Sequence, residues 1–70
     1  MIRVPVNSSN ILSVGYDKDS QLLEIEFNTK RVYRYSSVPP HVYAGLMKSR
    51  SHGKYFLTYI QGAYSQVEVQ

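Results

Sequence analysis

The sequence contains no cysteine and no tryptophan, and between Phe27 and Val67 it contains no acidic residue. The first absence excludes disulfide staples and thiolate metal sites, and it suits a reducing compartment. No apolar run approaches the roughly 18 residues of a membrane span. The opening stretch Met1-Ile2-Arg3-Val4-Pro5-Val6 lacks the basic-then-apolar layout of a signal peptide. A cytoplasmic chain with no membrane partner is therefore expected. At 70 residues there is room for one hydrophobic core. A domain so short buries only about 60% of the surface that its unfolded chain would expose.

The missing acids make the charge lopsided. Residues 1–26 carry Asp17, Asp19, Glu24 and Glu26 against Arg3 and Lys18, a net −2. Residues 27–67 carry Lys30, Arg31, Arg34, Lys48, Arg50 and Lys54 unopposed, a net +6. The isoelectric point of about 9.3 passes the rough threshold of 9 at which nucleic-acid binding is worth weighing. The plain alternative is six solvated cations scattered over a small surface, since a charge total says nothing about fold.

What is present reads as strands followed by helices. Residues 11–16 alternate, with Leu12, Val14 and Tyr16 on one face, and residues 21–27 alternate again, with Leu23, Ile25 and Phe27 opposite Glu24 and Glu26. Asp17-Lys18-Asp19-Ser20 is a turn cluster, and Arg31–Ser36 is a third strand rich in tyrosine. A three-residue loop at 28–30 would set Ile25 opposite Tyr33, Leu23 opposite Tyr35 and Glu24 opposite Arg34, uniting apolar with aromatic and acid with base. A two-residue loop would turn both tyrosines outward with the acids. The first register is preferred, and it puts Tyr33 and Tyr35 on the core side of the sheet.

Val38-Pro39-Pro40 ends the strand pattern. Val42, Tyr43, Leu46 and Met47 form one face of a short helix. Ser51 is placed to cap a second helix, whose inward face would be Phe56, Tyr59, Ile60 and Ala63. The fold expected is α+β: a small antiparallel β-meander of three main strands, then two short α-helices packed on one face. Residues 1–7 read as an N-terminal edge segment, 8–64 as the single domain, and 65–70 as a tail or edge strand.

Those residues carry a resemblance. Tyr33-Arg34-Tyr35, then Val38-Pro39, Val42-Tyr43, Leu46, Ser51, Gly53-Lys54-Tyr55-Phe56 and Ile60 resemble the KTSC family, as does Ser8-Ser9 ahead of Val14-Gly15-Tyr16-Asp17. That family is a short domain named for its place at the C-terminus of some lysyl-tRNA synthetases, and it also occurs as free-standing small bacterial proteins. Its hallmark is a Tyr-x-Tyr, here Tyr33 and Tyr35, read as structural. Members often have glycine near Lys30 and Arg31, so a lysine at this bulged turn implies strain. The synthetase context implies RNA binding by association alone.

Catalytic groupings do not assemble in the sequence. His41 and His52 stand apart with no carboxylate between them, short of the three or four ligands of a zinc site. Ser49 and Ser51 near His52 have no neighbouring acid to orient an imidazole, and a serine before a helix is normally its cap. Gly53-Lys54 lacks the upstream glycine of a phosphate loop, whose position is occupied by Lys48. No enzyme activity, cofactor, metal or small-molecule substrate is inferred. The function expected is a non-catalytic binding module for RNA or single-stranded nucleic acid. Its candidate residues are Arg34, Lys48, Arg50, His52, Lys54 and Tyr55, with Tyr55 as the exposed stacking ring and Tyr43 and Tyr59 in the core. The alternative is a protein–protein interaction or self-associating accessory domain, since a meander leaves strand edges open.

Overall fold

In the computed structural model, which describes residues 1–69, five antiparallel strands lie side by side in chain order. They are β1 (Arg3–Pro5), β2 (Ile11–Asp17), β3 (Leu22–Phe27), β4 (Val32–Tyr35) and β5 (Gln66–Glu68). Both helical segments are inserted between β4 and β5. The outermost strands are three residues long each, and Pro5 cannot donate to a ladder, so both edges are short. This is the expected α+β meander with both terminal segments recruited as edge strands.

The β3–β4 hairpin has the register anticipated from its sequence, with Leu23 opposite Tyr35, Glu24 opposite Arg34 and Ile25 opposite Tyr33. The Phe27 amide donates to the Arg31 carbonyl at 2.9 Å and the Lys30 amide to the Phe27 carbonyl at 2.9 Å, closing a three-residue loop. Lys30 sits at φ +74°, the left-handed conformation that glycine adopts without penalty. The strain inferred from the missing glycine is therefore present in the backbone.

One face of the sheet carries the core. Ile11, Val14, Leu23, Ile25 and Tyr35 pack against Val38, Leu46, Phe56 and Ile60 in one continuous cluster. Helix α1 (Pro40–Lys48) starts with proline in its first turn, where the missing N–H costs nothing, and presents Val42 and Leu46 inward. Tyr16 stacks on Tyr43 with ring centroids 4.6 Å apart and donates its hydroxyl to the Val38 carbonyl, tying β2 to the start of α1.

The second helix departs from its expected face. Helix α2 (His52–Tyr55) runs directly into a π-helical turn at Phe56–Ile60, where the Gln61 amide reaches back five residues to the Phe56 carbonyl at 2.9 Å. A π turn adds a residue to the helical repeat, so the spacing drawn for an α-helix no longer holds. Phe56 and Ile60 remain buried, but Tyr59 turns out to solvent at 57% exposure. Ala63 lies beyond the helix and is exposed. Tyr59 and Ala63 therefore do not lie on the inner face that a 3.6-residue period predicts for them, because the segment widens into a π turn.

Candidate nucleic-acid interface

The chain between the helices is held by its own hydroxyls. The Ser51 hydroxyl accepts from the Lys54 amide at 3.2 Å, capping α2 as expected. The Ser49 hydroxyl donates to the Ser51 carbonyl at 2.9 Å, and the Thr58 hydroxyl donates to the Lys54 carbonyl at 2.8 Å. This fixed junction carries Arg50, Lys54 and Tyr55 to the wall of an open cleft of about 430 Å³, together with Tyr59. The Tyr55 and Tyr59 rings lie 4.7 Å apart at 46°. Among the described residues every acid belongs to the sheet or its turns (Asp17, Asp19, Glu24, Glu26 and Glu68), so no carboxylate competes within the helical half.

Tyr55 is not the exposed ring. It is half-buried, and its hydroxyl end occupies the space beside Gly45, where an added Cβ would come within 2.8 Å of Tyr55 Cζ. Burial is the main cause that raises its phenol above the ordinary value, with Tyr59 and Tyr64 adding to it. The solvent-facing aromatic is Tyr59, supported from beneath by Tyr55. The roles expected for the two rings are therefore exchanged, because Gly45 opens a slot on α1 that only packing reveals and the π turn re-aims Tyr59.

The other sequence candidates scatter. Lys48 is exposed in the last turn of α1, outside the cleft lining. His52 places its Nδ1 2.8 Å from the Leu46 carbonyl. A carbonyl can only accept, so Nδ1 carries the proton and the ring latches α2 to the end of α1. Arg34 is on the opposite face of the sheet, since residues alternate along a strand and its neighbours Tyr33 and Tyr35 pack with the core. There its Nε and Nη2 donate to Glu24 Oε2 at 3.1 and 2.8 Å, while Arg3 Nη1 donates to Glu24 Oε1 at 2.8 Å. Glu24 is 5% exposed. Burial by itself would raise its carboxyl, but the bonds from Arg34 and Arg3 outweigh that and hold it below the ordinary value. Arg34 thus serves the sheet and is separate from the junction cleft.

Tyr33 and Tyr35 do face the core side. Tyr35 is 1% exposed and meets Phe56 edge-on at 5.6 Å. Burial, helped by Tyr33, pushes its phenol up to about 12. Both rings line a second cleft, between the β3–β4 hairpin and the other side of α2. Among the described residues no group of three or more His, Cys, Asp or Glu could hold a metal, and no helix is long and apolar enough to cross a membrane.

Comparison with known proteins supplies the family. The pattern of the KTSC domain matches residues 7–64. An uncharacterized protein of Stutzerimonas stutzeri is 45% identical over 56 residues, covering 80% of this chain and 79% of that one. A lysine–tRNA ligase of Nostoc punctiforme is 38% identical over 56 residues, which are 80% of this chain and 10% of the ligase. The crystal structure of a KTSC domain protein from Yersinia pestis superimposes with a TM-score of 0.96 at 38% identity, covering 99% of this chain and 97% of that one.

Proposed function

The chain belongs to the KTSC domain family, and from the chemistry of the helix junction we propose that it is a non-catalytic module binding RNA or another single-stranded nucleic acid. The observation that carries this reading is the exposed Tyr59 ring beside Arg50 and Lys54 in one acid-free cleft. Cations neutralise phosphates without regard to sequence. An exposed ring backed by a second ring gives a base a surface to stack on, worth about 1–3 kcal/mol. The likeness to a segment of a lysine–tRNA ligase supports the same reading by association.

An amide NMR titration with a short single-stranded RNA, at about 50 and 200 mM salt, tests it. Shifts should centre on Arg50–Tyr59 and weaken at the higher salt. Tyr59→Ala should lower affinity by roughly 5- to 150-fold, the equivalent of one stacked base. Arg34→Ala should leave affinity unchanged once the variant is shown to be folded. Absence of shifts at the lower salt would refute the reading.

The competing reading, a protein-interaction module, draws on Ile2, just ahead of β1, at 88% exposure and Val67, in β5, at 61%. It would show instead as shifts confined to β1 or β5 on adding a protein partner.

A further inference from the structure

The second cleft lies on the other side of α2 from the junction. Its volume is about 430 Å³, and its walls combine three kinds of chemistry. The floor is aromatic. Phe27 meets Phe56 edge-on at 5.2 Å and Tyr33 at 6.0 Å, with Phe27 and Tyr33 only half-buried, so part of their surface is open to a guest. The rim carries four carboxamides, on Asn10, Asn28, Gln61 and Gln66. One cation, Arg31, stands at the mouth. Its ion pair with Glu68 is long, at 3.3 Å, and joins side chains 63% and 40% exposed, so it offers little resistance to exchange for another anion.

The rim is built rather than incidental. Asn28 is fixed by donating Nδ2 to the Ser9 carbonyl at 2.9 Å, which leaves its Oδ1 as a free acceptor. Asn10 lies directly over Gly53, where an added Cβ would come within 3.0 Å of Asn10 Nδ2. A glycine at this point leaves room for the Asn10 side chain to lie against α2.

We propose that this cleft binds a single nucleobase carrying a 5′-phosphate. A carboxamide presents a donor and an acceptor in one plane, which matches the mixed donor and acceptor edge of a base. A simple carboxylate ligand would call for donors alone, and a hydrocarbon for neither. The base face lies on the Tyr33 and Phe27 side of the floor, as unstacked bases do on aromatic side chains. The phosphate takes the Arg31 guanidinium, which grips such an anion through two parallel bonds. The site differs from the junction cleft in every residue and does not depend on it.

The test is an NMR titration of the whole chain with the four nucleoside 5′-monophosphates separately, and with ribose 5-phosphate. The side-chain amides of Asn28, Gln61 and Gln66 and the ring of Tyr33 report the cleft. At least one nucleotide should shift them, with a dissociation constant on the order of 1 mM, and ribose 5-phosphate should not. Gln61→Ala/Gln66→Ala replaces two exposed side chains, so the fold is retained, and it should weaken binding about fivefold or more. Lys54→Ala and Tyr59→Ala should leave it unchanged. An equal response to ribose 5-phosphate, shifts confined to Arg50–Tyr59, or no shift at about 10 mM ligand would each overturn the assignment. Because oligonucleotide binding is read at Tyr59 and mononucleotide binding at Tyr33, either site can fail without the other.

Discussion

Replacing Glu24 by glutamine removes the charge on which two arginines converge while keeping the side chain's shape. Glu24 is 5% exposed and accepts three bonds, two from Arg34 and one from Arg3. Hydrogen bonds to charged groups contribute about 1.5–3 kcal/mol each when buried. Arg3 and Arg34 are 28% and 42% exposed, so water recovers part of that when the carboxylate is lost. Glutamine also keeps one acceptor. The net cost of Glu24→Gln should be about 2 kcal/mol.

A domain of this size has about 4–10 kcal/mol in total, so the loss is a large fraction. With a urea slope of about 1 kcal/mol/M, the midpoint should fall by about 2 M. The pH dependence gives an independent check. The Glu24 carboxyl is held below its ordinary value in the fold, so its stabilisation is complete above the unfolded-chain value of about 4.3 and is lost as pH falls through the folded value. Wild type should therefore lose stability on acidification along a limb that Glu24→Gln lacks. An unchanged urea midpoint together with an unchanged acid limb would show that the triad contributes nothing and that Arg34 is free for other work.

Two further outcomes follow from the hairpin and its tyrosines. Lys30→Gly should raise the urea midpoint, because lysine at φ +74° costs about 1–2 kcal/mol and the entropy glycine adds to the unfolded chain returns only part of that; a net gain near 0.5–1 kcal/mol is expected, and a loss would mean that the lysine side chain contributes contacts. Tyr35, whose phenol is raised from 10.0 to about 12, should contribute stability that is complete below pH 10 and lost as pH rises towards 12, about 3 kcal/mol in all. Tyr35→Phe should flatten that alkaline limb, and a limb of undiminished depth in urea melts of the variant would refute the assignment.

The hairpin was legible because its signals agree. Alternation in Leu23–Phe27 and Tyr33–Tyr35, a charge pair at Glu24 and Arg34, and a three-residue loop all favour one register, and a slip by one residue would have broken all of them together. The cap at Ser51 and the proline start of α1 were legible for the same reason, since both are local backbone requirements. The candidate site was legible only in part. Arg50, Lys54 and Tyr55 do converge, being neighbours around one capped turn. Arg34 is a candidate by its charge, yet the register that puts Tyr33 and Tyr35 on the core side puts Arg34 on the other face, against Glu24. The exchange of Tyr55 and Tyr59 was not readable, because it depends on a π turn that no residue pattern announces and on a missing Cβ at Gly45, ten residues away along the chain.

The sequence by itself determined the class of this protein: a small basic α+β meander without disulfides, its hairpin register, and the segregation of its acids onto the sheet half. These follow from periodicity, turn chemistry and composition, which act over a few residues. Only the tertiary structure decided that Glu24 is buried and that Arg3 joins Arg34 on its carboxylate, since Arg3 comes from β1, outside the hairpin. It alone decided which rings meet solvent, and it alone formed two clefts on either side of α2. Those outcomes depend on contacts between residues far apart in the chain, where burial, volume and the desolvation of charge are settled jointly.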